Sequence, residues 1–428
     1  NKLVYGRNTM TKIKLFGAAI TVGAMFGMVA CGGGSGSSSE NSRSTSGPIT
    51  SFGSIYVNGV EYETNGASVY IEDDAASESD LRAGMMVTVR QDSNGNTISV
   101  EHDDDVEGIV NANNIPAGQM TGTMDVMGQT VTVTTETIFE SHVASITDAG
   151  MIAPGNIVEV SGHSTGTGLI TATRLEVKAV DLLTYLSTHP DGIELKGVVE
   201  NHSANNSKFD IGSMTIDYSG AALSDLANGI SDGIHVEVKS ITGIVAGELI
   251  ASSVEREDDG RIDHHGDEDD EYEIHGMVMA MDNTTITVDS QVVMINDQTE
   301  FEDGVRADIM VGAMVEVEGY FNAGGELIAE EVELEDQEAT SEMTGTVASV
   351  TASAANVGMI TLMDGTVIQV TAETIMHDDR DEGMMPDPQF NLEDLGANDY
   401  IEMYVFANGD GTYTATKIER EDMPVAAI

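Results

Sequence analysis

Apolar and polar residues alternate along most of the chain, and one alternating pattern recurs five times between Gly47 and Asp422. Each repeat opens with a glycine and an apolar residue close behind it: Gly47-Pro48-Ile49, Gly108-Ile109-Val110, Gly197-Val198-Val199, Gly276-Met277-Val278 and Gly345-Thr346-Val347. Period-two alternation follows on both sides of a tight bend. Asn58-Gly59 in repeat one and Asp364-Gly365 in repeat five predict two-residue hairpins there. A threonine before an apolar residue often comes next, as in Thr137-Ile138, Thr299-Glu300-Phe301 and Thr374-Ile375. A fourth segment starts at Gly84, Gly155, Gly233, Gly312 or Gly396 and sets Val, Ile or Met against an acid or threonine. That period predicts a strand with one buried and one wet face. The last segment ends alike in every repeat, at Val100-Glu101, Leu175-Glu176, Val254-Glu255, Val332-Glu333 and Ile418-Glu419.

About five strands per repeat, joined by short turns, predict an all-β chain: a tandem array of about five small antiparallel β-barrels of OB-like form. Closure removes exposed strand edges. Immunoglobulin-like sandwiches fit less well, because the units are short and the chain has no tryptophan. The repeats are bounded as 47–104, 105–181, 194–257, 273–336 and 342–422, with linkers at 182–193 and 258–272. Residues 181–186 are expected to form a helical turn between repeats two and three, and the acid run around 258–272 a solvated linker. Units this small, without disulfides, are expected to lean on their neighbours.

The opening Gly47-Pro48-Ile49-Thr50-Ser51-Phe52-Gly53-Ser54-Ile55-Tyr56-Val57-Asn58-Gly59-Val60, with the recurring Gly-x-x-Val-x-Val and Leu-x-Ala-x-x-Val-Glu elements, resembles a bacterial family of unknown function, numbered 5666, found in tandem on exported lipoproteins. The resemblance covers roughly residues 47–422. It implies a small β-barrel and a cell-envelope address, and it brings no catalytic residue with it.

The N-terminus agrees with that address. Met10, Lys12 and Lys14 precede an apolar run over 15–30 that ends at Ala30-Cys31-Gly32, which resembles a bacterial lipoprotein signal. Residues 1–9 are expected to be an upstream artefact and 10–30 a signal that is removed. Cys31 becomes the lipidated N-terminus, and 31–46 a flexible Gly/Ser tether. Gly32, rather than the aspartate of inner-membrane retention, points to the outer membrane, on its periplasmic or surface face. The membrane is then one partner, through the anchor.

Charge narrows the other partners. With 18 basic and 73 acidic residues the formal net charge is −55, which repels nucleic acid and anionic lipid. No nucleic-acid partner is expected. The sequence contains no His-Glu-x-x-His, no phosphate-binding Gly-x4-Gly-Lys and, with one cysteine, no Cys-x-x-Cys, so a non-enzymatic role is expected. Histidines among acids are the candidate metal ligands: His264, His265, Asp267, Asp269 and His275 in one group, and His377, Asp378 and Asp379 in another. Imidazole with carboxylate suits zinc, copper or nickel, and carboxylates alone suit calcium; the plainer reading makes these segments solvated linkers. His102 beside Asp103-Asp104-Asp105 has the same character. The expected function is an envelope lipoprotein presenting acidic barrels for binding or spacing, with an envelope protein or glycan as further partner. A divalent-cation-binding protein and an envelope enzyme with an unrecognised site are the alternatives.

Overall fold

In the computed structural model each of the five repeats is a small barrel-like sheet with its first strand paired to its fourth. The structure describes residues 43–423 except 73, 93, 165–166, 227–228, 258–270, 289–290, 303–304, 312, 322–326, 335–340, 355, 381–386 and 409–410. Among the described residues no helix is long and apolar enough to cross a membrane.

Repeat two shows the topology most fully. Its strands Val106–Asn113, Gly122–Val126, Gln129–Ser141, Ile157–Ser164 and Leu169–Ala179 lie in the order first, second, third, fifth, fourth, and the fourth pairs back onto the first. The third and fifth run parallel. The other four repeats carry the same parallel pairing between a third-strand segment and the closing strand. This is the OB-like barrel expected, and its one parallel pair has an arithmetic reason. Neighbours around a closed ring of five strands cannot all alternate in direction, so one pair must be parallel.

The recurring residues each have a structural task. The apolar residue that opens each repeat donates its N–H to the start of the fourth strand: Ile49 to Met85 O at 2.9 Å, Val110 to Asn156 O at 3.0 Å, Val199 to Ile234 O at 2.9 Å, Val278 to Ala313 O and Val347 to Asp399 O, both at 2.8 Å. All five side chains are buried, as a barrel seam requires. Every closing strand also carries a one-residue β-bulge, seen as a register step or break opposite the fourth strand at Ile98, Thr173, Ser252, Glu330 and Thr416. Bulges bend a strand and re-aim the extra side chain.

The threonines staple the third strand to the closing one. Thr137, Thr299 and Thr374 each accept the N–H three residues upstream, at 2.9, 3.0 and 2.9 Å. Their hydroxyls donate to Ala172, Ala329 and Ala415 carbonyls at 2.7, 2.9 and 2.9 Å. Thr374→Val keeps the shape and strands both partners in a buried site, so it should cost about 1–3 kcal/mol, read from the urea midpoint; an unchanged midpoint would deny the staple.

The repeats share sheets. Arg43–Ser46, assigned to the tether from sequence, are instead the start of the first strand (Arg43–Phe52) and pair in parallel with Glu271–Ile274 of repeat four. A β-strand held on both edges cannot be a flexible linker. Repeats two and three join through Val106-Glu107 and Glu194-Leu195 and share one apolar core. The helical turn between them forms at Leu182–Leu186, capped by Asp181, and buries Tyr185 in that core. Gly128, at φ +80°, lets the two hairpins touch: a Cβ there would lie 2.4 Å from Met214 N. Repeat five docks on repeat one through buried Asn356, which donates to Phe52 O at 2.7 Å. It also docks on repeat two through Lys417, whose Nζ is 2.9 Å from Thr137 O.

Candidate functional site

Strand register places one row of side chains across the outer face of the first, fourth and closing strands. In repeat two the row is Glu107, Glu159, Glu176; in three it is Lys196, Glu237, Glu255. In four it is His275, Glu316, Glu333, and in five Thr344, Glu402, Glu419. Acids directly opposite one another repel, so each row needs counter-charge. The alternation had marked this face as wet. In repeats two and three it is largely covered, because a neighbouring repeat packs on it: Glu159, Glu176 and Glu237 are all buried.

The covered faces surround a cavity of about 270 Å³ where repeats one, two and three meet. Eight carboxylates line it against Arg82, Arg174, Lys178 and two histidines. Arg174, on the closing strand of repeat two, is 2% exposed. Its Nη2 binds Glu140 and lies 2.8 Å from Glu176 Oε2, while Nη1 donates to Ala83 O of repeat one at 3.3 Å. Lys178 Nζ sits 2.7 Å from Glu159 and 3.1 Å from Glu176. His142 Nε2 is 2.6 Å from Glu176 Oε1. Burial alone would raise Glu176, but His142, Arg174 and Lys178 hold its carboxyl well below the usual carboxylate range.

Other acids of the cavity are less well served. Burial pushes Glu159 up to about 8, with the charge of Asp104 adding to it, and burial pushes Glu107 up to about 7. His102 has no exposed side-chain surface; burial lowers it, yet Asp104, with Oδ1 3.4 Å from Nε2, carries it up to about 9. On one wall of the cavity, Glu72 of repeat one meets Glu194 and Glu237 of repeat three, with one oxygen of each within 4.8 Å of the others. Lys196 Nζ lies 2.8 Å from Glu72 and 3.4 Å from Glu194; Lys239 Nζ lies 3.2 Å from Glu194 and 2.9 Å from Glu237. Two ammonium groups thus serve these three carboxylates, and Lys196 is shared with Asp103 at 3.2 Å. Burial, then the hydrogen bond with Glu194, lifts Glu237 to about 8, and burial lifts Glu72 to about 9 against the pull of Lys196. Chemically the joint stores protons and pairs charges.

The candidate metal ligands fare differently. His264, His265, Asp267 and Asp269, like Cys31, lie outside the described residues. His275 stands opposite Glu316, edge-on to His163 of repeat two at 6.2 Å and 82°. His377, Asp378 and Asp379 do not form a solvated linker. His377 and Asp378 end a strand, Ile375–Asp378, and Asp378 is 4% exposed. Arg380 Nε and Nη2 lie 2.7 Å from its two oxygens, Arg420 binds both as well, and Asp387 N donates at 2.7 Å. Those partners use the lone pairs that a metal would need. Burial lowers His377 to about 4, and its Nε2 is 3.9 Å from Asp379.

The chain also carries a motif associated with serine hydrolases. Gly162-His163-Ser164-Thr165-Gly166 and Gly229-Ile230-Ser231-Asp232-Gly233 fit Gly-x-Ser-x-Gly, but Ser164 ends an antiparallel strand paired with Leu169–Ala179 and Ser231 lies on a turn into the strand His235–Ser240, whereas a nucleophile elbow sits on a turn from strand into helix. The ionic joint itself left a signal. The scarce cations recur two residues from an acid on a strand, as Arg174-x-Glu176-x-Lys178, Glu194-x-Lys196, Glu237-x-Lys239 and Lys417-x-Glu419, a spacing that puts both on one face.

A family model described as a domain of unknown function (DUF5666) matches residues 46–99, 107–176, 275–333 and 344–419. The unmatched repeat three has the same barrel. No curated protein matches the chain. A solved structure titled drosophila Unr CSD456 aligns at 12% identity over 54% of this chain and 98% of that chain, with a TM-score of 0.16; so low a score carries no argument.

Proposed function

The chain belongs to the family described as a domain of unknown function (DUF5666), and we propose that it is a non-enzymatic lipoprotein of the bacterial outer membrane, in which five interlocked acidic barrels act as a spacing and binding body held by a lipid on Cys31. The observation that supports spacing is the ionic joint: charged faces that separate modules would offer to ligands are turned onto one another, with Arg174, Lys178 and Lys196 each bound to acids. The signal-like 10–30 and Cys31 support the anchor. Expressed in a bacterium fed a labelled fatty acid, the chain should take up label and sediment with membranes, and Cys31→Ser should lose both. Undiminished label in the variant would end the reading.

A second reading, cation uptake, is favoured by repeat four. Glu273, Glu316 and Glu318 bring one oxygen each within 4.8 Å of the others, beside Arg43, which binds Glu273, lies 3.4 Å from Glu318 and would have to yield to a metal; burial followed by the charge of Glu273 pushes Glu316 up to about 7. Hard oxygen ligands suit calcium. Calorimetry at millimolar calcium should show heat that Glu316→Gln with Glu318→Gln removes; equal heat in both proteins would place uptake elsewhere.

A further inference from the structure

The turn before the fourth strand is the part that repeat one offers to a neighbour. In repeat one its tip, Arg82-Ala83-Gly84, is pressed onto the bulge of repeat two's closing strand. Thr173 Oγ1 donates to Gly84 O at 2.6 Å, Arg174 Nη1 donates to Ala83 O, and a Cβ on Gly84, at φ +82°, would lie 2.7 Å from Thr173 O. Ala83 is 4% exposed in that seat.

The same turn behaves otherwise elsewhere. Where it is left open the tip is small or polar: Ala153-Pro154 in repeat two, Ser231-Asp232 in three and Gly396-Ala397 in five, all exposed. Repeat four breaks the rule. At the positions of Arg82 and Ala83 it carries Met310 and Val311, exposed at 66% and 63%, with Val305 at 59% on the same turn. Hydration of three large apolar groups on one turn of a chain this acidic is costly unless they are covered in use.

The seat is also presented open. In repeat one the bulge residue equivalent to Thr173 is Ile98, 48% exposed. An apolar tip and an apolar bulge are thus offered together, in the arrangement that already joins repeats one and two with a polar pair.

We propose that the chain associates with a second copy of itself, the Met310-Val311 tip of one molecule seating on the Ile98 bulge of the next. The two faces differ, so the contact is head-to-tail and extends into short chains of molecules rather than closing as a symmetric dimer. The contact is small and opposes a net charge of −55 on each partner, so it is weak in dilute salt and strengthens as salt screens the repulsion.

Sedimentation velocity on the soluble chain from residue 32, at micromolar to submillimolar concentration and in low and high salt, tests this. Wild type should show concentration-dependent oligomers that grow with salt. Met310→Ser with Val311→Ser, and separately Ile98→Ser, should each raise the dissociation constant at least about tenfold while melting as wild type does. A mixture of the two variants should regain association, stopping at pairs, because each supplies the face that the other lacks. A wild type monomeric at every concentration and salt would overturn the proposal. So would a tip variant that associates as well as wild type, or a mixture that stays monomeric.

Discussion

Arg174→Met is expected to lower the stability of the chain by about 3–5 kcal/mol, the usual cost of leaving half of a buried ion pair behind. Methionine fills much of the same volume, so the loss measures charge rather than a cavity. With the guanidinium gone, Glu140 loses its cation and Glu176 keeps only His142 and Lys178. The tie to Ala83 O goes too, so the damage should concentrate where repeats one and two meet. Urea unfolding followed by tyrosine fluorescence reads the loss, and limited proteolysis should cut first near residues 78–85. Adding Glu140→Gln should recover part of the stability, because a neutral side chain no longer needs the arginine. A loss under about 1 kcal/mol, typical of exposed pairs, would mean that water reaches the joint and the repeats move apart.

The second large effect is on pH. A carboxyl that titrates near 4.5 unfolded and about 8 folded, as for Glu237 and Glu159, binds its proton more tightly in the folded chain. Folding is then unpenalised below about 4.5 and loses stability as pH rises toward 8. Glu72, raised to about 9, extends the loss. His102 acts in the same direction: its charged form is favoured in the fold, so its contribution is complete below 6.5 and lost as pH rises through about 9. Glu176 and Asp378, held low, act oppositely, and their contributions vanish only in strong acid. The melting temperature should therefore peak on the mildly acid side and fall by about 5–10 °C between pH 6 and 9, corresponding to several kcal/mol. Glu237→Gln, a fixed copy of the protonated acid, should melt higher than wild type at pH 9 and follow a flatter profile. Parallel profiles for the two proteins would show that Glu237 is ionised and solvated in the fold.

Much of the barrel was legible in the sequence because each device is local. Asn58-Gly59 reads as a hairpin turn, and both residues adopt positive φ, 50° and 71°. The opening glycine and apolar residue, the Thr137, Thr299 and Thr374 staples and the closing Val-Glu all work within one repeat. The parallel pairing was missed because it follows from closure, which no window of sequence contains. Asp378 was misread for a related reason. Its arginine partners are two and 42 residues away, and only the near one stands in the same motif, so a charge that is internally paired looks like one on offer.

The sequence by itself determined that there are five units, that each is a β-barrel of buried and polar faces, and which residues recur in each. Period two says that the faces of a strand differ; it does not say what lies against the polar one. Only the tertiary structure decided that Glu72 meets Glu194 and Glu237, or that Arg43 begins a strand beside Glu271. Such contacts join residues more than a hundred positions apart, where no local propensity acts. Packing of one closed barrel on another settles whether a row of glutamates faces water or a neighbour's lysines.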